Sequence, residues 1–145
     1  MNIIKEIKLS YSTNGTENIK ITDSKSAYEI LFDNWNLDTI QLQEEFKVLL
    51  LNQANIVLGI YNLSKGGVSG TVVDVKLLLA SAIKANASSI IIAHNHPSGN
   101  LKPSENDNRL TKKIKEACKL VDLSLLDHLI VTKDGFFSYS DSGII

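Results

Sequence analysis

Ser88 to Ala93 is a segment of strand length whose apolar run, Ile90 to Ala93, passes without a break into His94-Asn95-His96-Pro97. It reads as a short buried strand whose polar end carries two histidines. Side chains at i and i+2 of an extended segment share a face, so His94 and His96 can point at one ion. Pro97 reinforces this geometry, because the residue before a proline is pushed out of the α region and His96 is thereby kept extended.

The rest of the chain supplies layers for such a strand. Ile3 to Tyr11 and Asn18 to Ile21 read as strands of a hairpin turning at Ser12-Thr13-Asn14-Gly15, where Asn-Gly is a strong turn signal. Ser24 or Ser26 can cap a helix carrying Tyr28, Ile30, Leu31 and Trp35, ending near Asn34 to Asn36, with Trp35 packed rather than binding anything. Phe46 to Leu51 and Ile56 to Leu63 are β-rich runs around Asn52-Gln53-Ala54-Asn55, a second hairpin, and Ser64 to Gly70 follows as a loop. Thr71 or Asp74 starts a helix with Val75, Leu78, Leu79 and Ile83 on one face. A further helix from Ser104 to Val121 carries Leu110, Ile114, Ala117, Cys118 and Val121 on its apolar side. Leu125 to Thr132 and Phe136 to Tyr139 close the chain as strands around Asp134-Gly135. Strands alternating with helices predict an α/β (α+β) layered domain, with helices covering a mixed, mostly antiparallel sheet. At 145 residues, a single domain spanning 1–145 is expected, with no repeat or linker inside it.

After seven intervening residues His96 is followed by Ser104, and Asp107 stands three positions later. Two imidazoles and a carboxylate form the kind of three-ligand set that a catalytic zinc uses, leaving a fourth position to water. Cys118 is a poor candidate for a fourth ligand, because it falls on the apolar side of the helix and reads as a small core residue. Ser104-x-x-Asp107 is also a capping box, and capping and ligation are compatible: a helix N-terminus favours the ionised aspartate that a metal needs. The joint pattern His-x-His-x7-Ser-x2-Asp arises by chance in a chain of this length at odds on the order of 10⁻⁴.

These residues, inside HNHPSGNLKPSENDNRL, match the motif of the JAMM (JAB/MPN) metalloprotease superfamily, and the chain resembles its RadC-like branch. The resemblance runs from about Glu44 through Ile145 and includes EEFKVLLLNQANIVLG, LSKGGVSGTVVDVK and LLDHLIV, while the first forty residues are less diagnostic. It implies a deaminase-like, three-layer α/β fold, one zinc ion per chain held by His94, His96 and Asp107, and an upstream glutamate working with the metal's water. Glu44 matches that position, since it precedes the aliphatic pair Val48 and Leu49 by four and five residues, with Glu45 as the alternative. The implied activity is zinc-dependent hydrolysis of a peptide or isopeptide bond in a peptide or protein substrate. Glu44 would serve as proton carrier and Ser104 as donor to the developing oxyanion. Asp127-His128 matches a pair in the same branch; successive strand residues face opposite ways, so the two are not co-ligands, and a supporting or packing role is expected.

Other readings are narrowed by composition. Fifteen basic against sixteen acidic residues, a net charge of −1, give no bulk attraction to DNA or anionic lipid. Arg109, Lys112, Lys113, Lys115 and Lys119 do make one helix face basic. Through that face and the RadC association with DNA repair, a DNA-transaction accessory role stands as the alternative function. Longer members of the branch carry an N-terminal helix-hairpin-helix region that has no counterpart in this sequence. No apolar run approaches membrane-spanning length, and the start of the chain lacks a secretory pattern, so a cytoplasmic protein with no membrane partner is expected. Ser64 to Gly70 lacks phosphate-loop spacing. A zinc deaminase would need His-x-Glu and Pro-Cys-x-x-Cys, which Asn95 and a single cysteine exclude.

Overall fold

A computed structural model describes residues 2–10, 12, 18–66 and 72–145. Among the described residues eight elements follow in chain order: α1 (Ser24–Asp33), β1 (Glu45–Leu51), β2 (Val57–Lys65), α2 (Val75–Lys84), β3 (Ser89–Asn95), α3 (Glu105–Leu120), β4 (Ser124–Thr132) and β5 (Gly135–Ser138). The strands form one five-stranded sheet in the order β2-β1-β3-β4-β5. Only β3 and β4, joined through α3, run parallel, and the other pairs are antiparallel. The expected α+β fold with a mixed, mostly antiparallel sheet is therefore met.

Both faces of the sheet are covered, which is why β1 and β3 read as continuous apolar runs rather than alternating ones. Phe46, Val48, Leu50, Ile90 and Ile92 pack against Leu78 and Ala82 of α2 and Ile114 and Cys118 of α3. On the opposite face, Leu49, Leu51, Ile91, Ala93, Leu129 and Val131 pack against Ala27 and Leu31 of α1 and against Trp35. Three layers result, with β3 at the centre and fully buried along its length.

Several local expectations are corrected. Residues 2–10 form no strand, and Ile3, Ile4, Ile7 and Leu9 are 83–94% exposed. A two-stranded ribbon without a covering layer buries too little to hold itself together, whatever its turn residues favour. Tyr11 and most of the Ser12 to Gly15 turn lie outside the described residues, and Lys20 bridges instead to Ile56 beside the β1–β2 connection. Helix α1 is capped by Asp23 rather than Ser24 or Ser26, with Ser26 completing the capping box from the third helical position. Ser64 and Lys65 extend β2 because they pair with Phe46 and Glu45, while residues 67–70 of the expected loop, and Thr71 as the other expected helix start, lie outside the described residues. Asp74 caps α2, whose buried stripe contains Leu78 and Ala82, and Ile83 is turned to solvent. Val121 is exposed at the C-cap of α3. Thr132 pairs with Gly135, so Lys133-Asp134 forms the last turn.

Candidate metal centre

The site lies where β3 ends and α3 begins, at the carboxyl end of the parallel pair, where open α/β sheets commonly bind ligands. His94 falls on the α2/α3 face of the sheet and is 3% exposed. The His96 amide donates to Val131 O at 3.2 Å, which carries strand-like pairing one residue past Asn95 and keeps both rings on one side. Gly99, with φ of +83°, then turns the chain; its amide donates back to His96 O at 3.0 Å, and that left-handed conformation favours glycine. Ser104 caps α3, accepting the Asp107 amide at 3.0 Å, and Asp107 Oδ2 accepts the Ser104 amide at 2.9 Å. The predicted capping box is thus present, and it aims Asp107 back at the histidines.

His94 Nε2 and His96 Nε2 stand 3.0 Å apart, and lie 3.2 and 3.1 Å from Asp107 Oδ1 and Oδ2 respectively. These three ligand groups form the cluster that could hold a metal ion among the described residues. The spacing suits a small divalent cation, since tetrahedral bonds of about 2.0–2.1 Å set neighbouring donors about 3.4 Å apart.

Hydrogen bonds behind the rings decide which nitrogens face inward with a lone pair. Asn100 O can only accept, so His96 Nδ1, 2.6 Å away, donates to it and the neutral ring leaves Nε2 free. Thr111 Oγ1 donates to Asp107 O at 2.7 Å and therefore accepts from His128 Nδ1 at 2.6 Å. His128 Nε2 in turn accepts from His94 Nδ1 at 2.8 Å, which leaves His94 Nε2 free as well. Neutral, both rings present lone pairs beside the carboxylate; protonated, the same nitrogens donate to Asp107. His128 is fully buried, and stacks on Tyr139 with ring centres 4.8 Å apart.

Electrostatics favour an ionised carboxylate here. Burial pushes Asp107 up, but hydrogen bonds from His94 and His96, the His94 charge and the Ser104 amide outweigh it and hold the carboxyl well below its ordinary range. Burial pulls His96 down, yet the bonds to Asp107 and Asn100 and the charges of Asp107 and Glu44 leave it raised. His128 is held well below the usual imidazole value, first by burial and then by the His94 charge, which keeps it a neutral hydrogen-bonding partner.

Glu44, half-buried just before β1, lines a cleft of about 520 Å³ together with His96, Asn100, Lys102 and Ser104. Glu45 lies on the other face of the sheet, where it pairs with Lys65 at 3.5 Å, so of the two acids only Glu44 lines this cleft. Asp127 and His128 point to opposite faces as expected: Asp127 accepts from the amides of His128 and Ser140 and from the Ser138 hydroxyl. On α3, Arg109, Lys112, Lys113 and Lys119 are exposed and Lys115 is half-buried.

Residues 21–144 match the profile of the RadC-like JAB domain. The chain belongs to that family. This RadC-like JAB domain is 45% identical over 125 residues to a UPF0758 protein of Flavobacterium johnsoniae, covering 86% of the chain and 53% of the relative. It is 46% identical over 126 residues to one from Porphyromonas gingivalis, covering 86% and 54%. Against one from Clostridium beijerinckii it is 40% identical over 127 residues, covering 88% and 54%. The domain thus spans about half the length of these curated relatives. No helix among its described residues is long and apolar enough to cross a membrane.

Two site residues of this RadC-like JAB domain escaped the sequence reading. Thr111 occupies a buried stripe position on α3 with Ile114 and Cys118, and a hydroxyl in an otherwise apolar stripe was its available signal. Asn95 is fully buried between the two histidines, on the opposite side of the strand. Nothing in its local sequence distinguishes it from a solvated strand-end asparagine.

Proposed function

We propose that the chain is a zinc-dependent metallopeptidase-type hydrolase that cleaves peptide or isopeptide bonds in a peptide or protein substrate. The observation that carries this reading is the convergence of His94 Nε2, His96 Nε2 and the Asp107 carboxylate within 3.0–3.2 Å, with His96 opening onto a cleft that Glu44 and Ser104 also line. When bound there, a divalent cation supplies Lewis acidity, polarising a carbonyl and bringing a water's pKa down to about 7.

The remaining work falls to the chain's own side chains. The Glu44 carboxylate takes a proton from the attacking water and, as the acid, returns it to the departing amine. Ser104 Oγ accepts from the Asp107 amide, so its own proton is free to donate to the carbonyl oxygen as negative charge develops there. The His128 and Asn100 bonds hold the two ligand rings in the tautomer that faces inward. Lys102 sets a positive charge in the same cleft, where an extended substrate chain would lie.

The test combines metal analysis with hydrolysis of an internally quenched peptide library. Wild-type protein is expected to hold one zinc per chain, and His94→Ala and Asp107→Ala to lose it. Glu44→Gln is expected to keep zinc and lose hydrolysis, while Ser104→Ala should reduce the rate by about 10²–10³. Full zinc stoichiometry in both ligand variants, or undiminished hydrolysis by Glu44→Gln, would overturn the proposal.

A further inference from the structure

Asn95 stands between two ligands of the candidate centre, yet its side chain leaves by the opposite face of the sheet. There it is 0% exposed and makes three hydrogen bonds. Its Nδ2 donates to Ile40 O at 2.7 Å and to Gln43 O at 2.9 Å, and its Oδ1 accepts the Glu45 amide at 2.7 Å. Both amide hydrogens are used, and only this orientation of the carboxamide pairs two donors with two carbonyls and an acceptor with an N–H. All three partners belong to the segment that delivers Glu44.

Packing of Trp35 and Ile40 into the core anchors the first part of that segment, and the stretch after Ile40 has no buried apolar side chain before Phe46. From Asn36 to Gln43 the backbone pairs with itself in local turns, such as Ile40 N to Asn36 O at 3.0 Å and Gln43 N to Thr39 O at 3.1 Å. Glu44 is flanked by the two groups Asn95 holds, Gln43 O before it and Glu45 N after it. On its far side, Glu44 O accepts from Gly66 N at 2.9 Å at the end of β2. The Glu44 backbone is thus clamped between the central strand and the end of β2, and the strand-side half of the clamp is one side chain.

We infer that Asn95 is the positioning residue for Glu44: the strand that carries the metal ligands also sets, through one buried carboxamide, how far the acid stands from them. This inference rests on the proposed role of Glu44. Placement of a reacting group within a fraction of an ångström decides rate, and an error of about 1 Å can cost about a hundredfold. A single strand residue that ties the acid to the ligands would keep their separation constant even as the surrounding turns fluctuate.

The experiment uses the full chain loaded with cobalt(II) and labelled with ¹³C-glutamate, in which relaxation of the Glu44 carboxyl carbon reports its distance from the ion. The Glu44→Gln variant assigns that signal. In Asn95→Ala and Asn95→Leu, the paramagnetic enhancement at Glu44 is expected to fall severalfold, while the shifted ring signals of His94 and His96 and the cobalt affinity stay as in wild type. Asn95→Leu keeps the branched four-atom skeleton of the side chain without its hydrogen bonds, so it leaves no void where the smaller residue would. With the zinc form and the quenched peptide library, kcat should fall about 10- to 100-fold with little change in KM. Unchanged enhancement at Glu44 in both variants overturns the inference and leaves the role of Glu44 untouched. Undiminished hydrolysis by Glu44→Gln would instead remove that role, with the relaxation result still standing as a statement about geometry.

Discussion

At the scale of single residues, the unusual member of the site is His128. Metal-binding histidines ordinarily donate their second nitrogen to a carboxylate, a carbonyl or water, and His96 follows that habit through Asn100 O. His94 donates instead to another histidine, which can accept only because burial keeps it neutral and Thr111 holds its proton on Nδ1. Replacing His128 with Phe keeps a flat ring beside Phe46 and Tyr139 but removes the acceptor. Zinc affinity, measured by chelator competition, is expected to weaken by about 10- to 100-fold in His128→Phe. Thr111→Val should move it in the same direction and Thr111→Ser should restore it. An unchanged affinity in His128→Phe would mean that the His94 ring is oriented by packing alone.

At the scale of elements, the first turn of α3 joins a helix cap to a ligand. Asp107 receives the Ser104 amide and lies at the positive end of a sixteen-residue helix, and both favour its ionised form. The stability it contributes to the metal-free protein follows from linkage. Its folded-state pKa lies well below the ordinary 3.8, so the contribution is fully present above that value. It is lost as the pH falls below about 4, where the unfolded chain takes up a proton that the folded chain still refuses. Urea denaturation of the metal-free wild type and Asp107→Asn should therefore give a stability gap that widens from pH 8 to 5, as the His96 ring paired with Asp107 takes up its proton, and narrows as the pH is lowered from about 4 toward 2. A gap independent of pH would show that Asp107 acts in the metal-free fold only through its shape.

At the scale of the whole molecule, the core is the sheet with its two helical layers, and residues 2–10 take no part in it. Ile3, Ile4, Ile7 and Leu9 are almost fully exposed, and the bridge from Lys20 to Ile56 lies beyond that stretch. Deleting residues 2–10 is expected to leave unfolding free energy within about 0.5 kcal/mol of the full chain, as for surface changes that touch no packed group. Zinc content should also be unaffected. A larger loss, read by urea denaturation, would show that these apolar side chains pack onto the domain in solution.

Much of this arrangement could be read before any fold was known. The apolar runs of β1 and β3, the helical stripe of α3 and the His-x-His, Ser and Asp spacing are local patterns, and backbone periodicity alone translates them into faces and ligand directions. The sequence alone thus determined which residues could meet at the end of β3. Hairpin chemistry near the N-terminus misled, because a turn signal says how a chain can reverse and not whether a covering layer exists. Only the tertiary structure decided between Glu44 and Glu45 for the cleft, since register and the covering of the two sheet faces settle which side each acid takes. It also decided the partners of Thr111, His128 and Asn95, whose bonds join residues 17 to 55 positions apart. Contacts of that span depend on how whole layers dock, which no local pattern encodes.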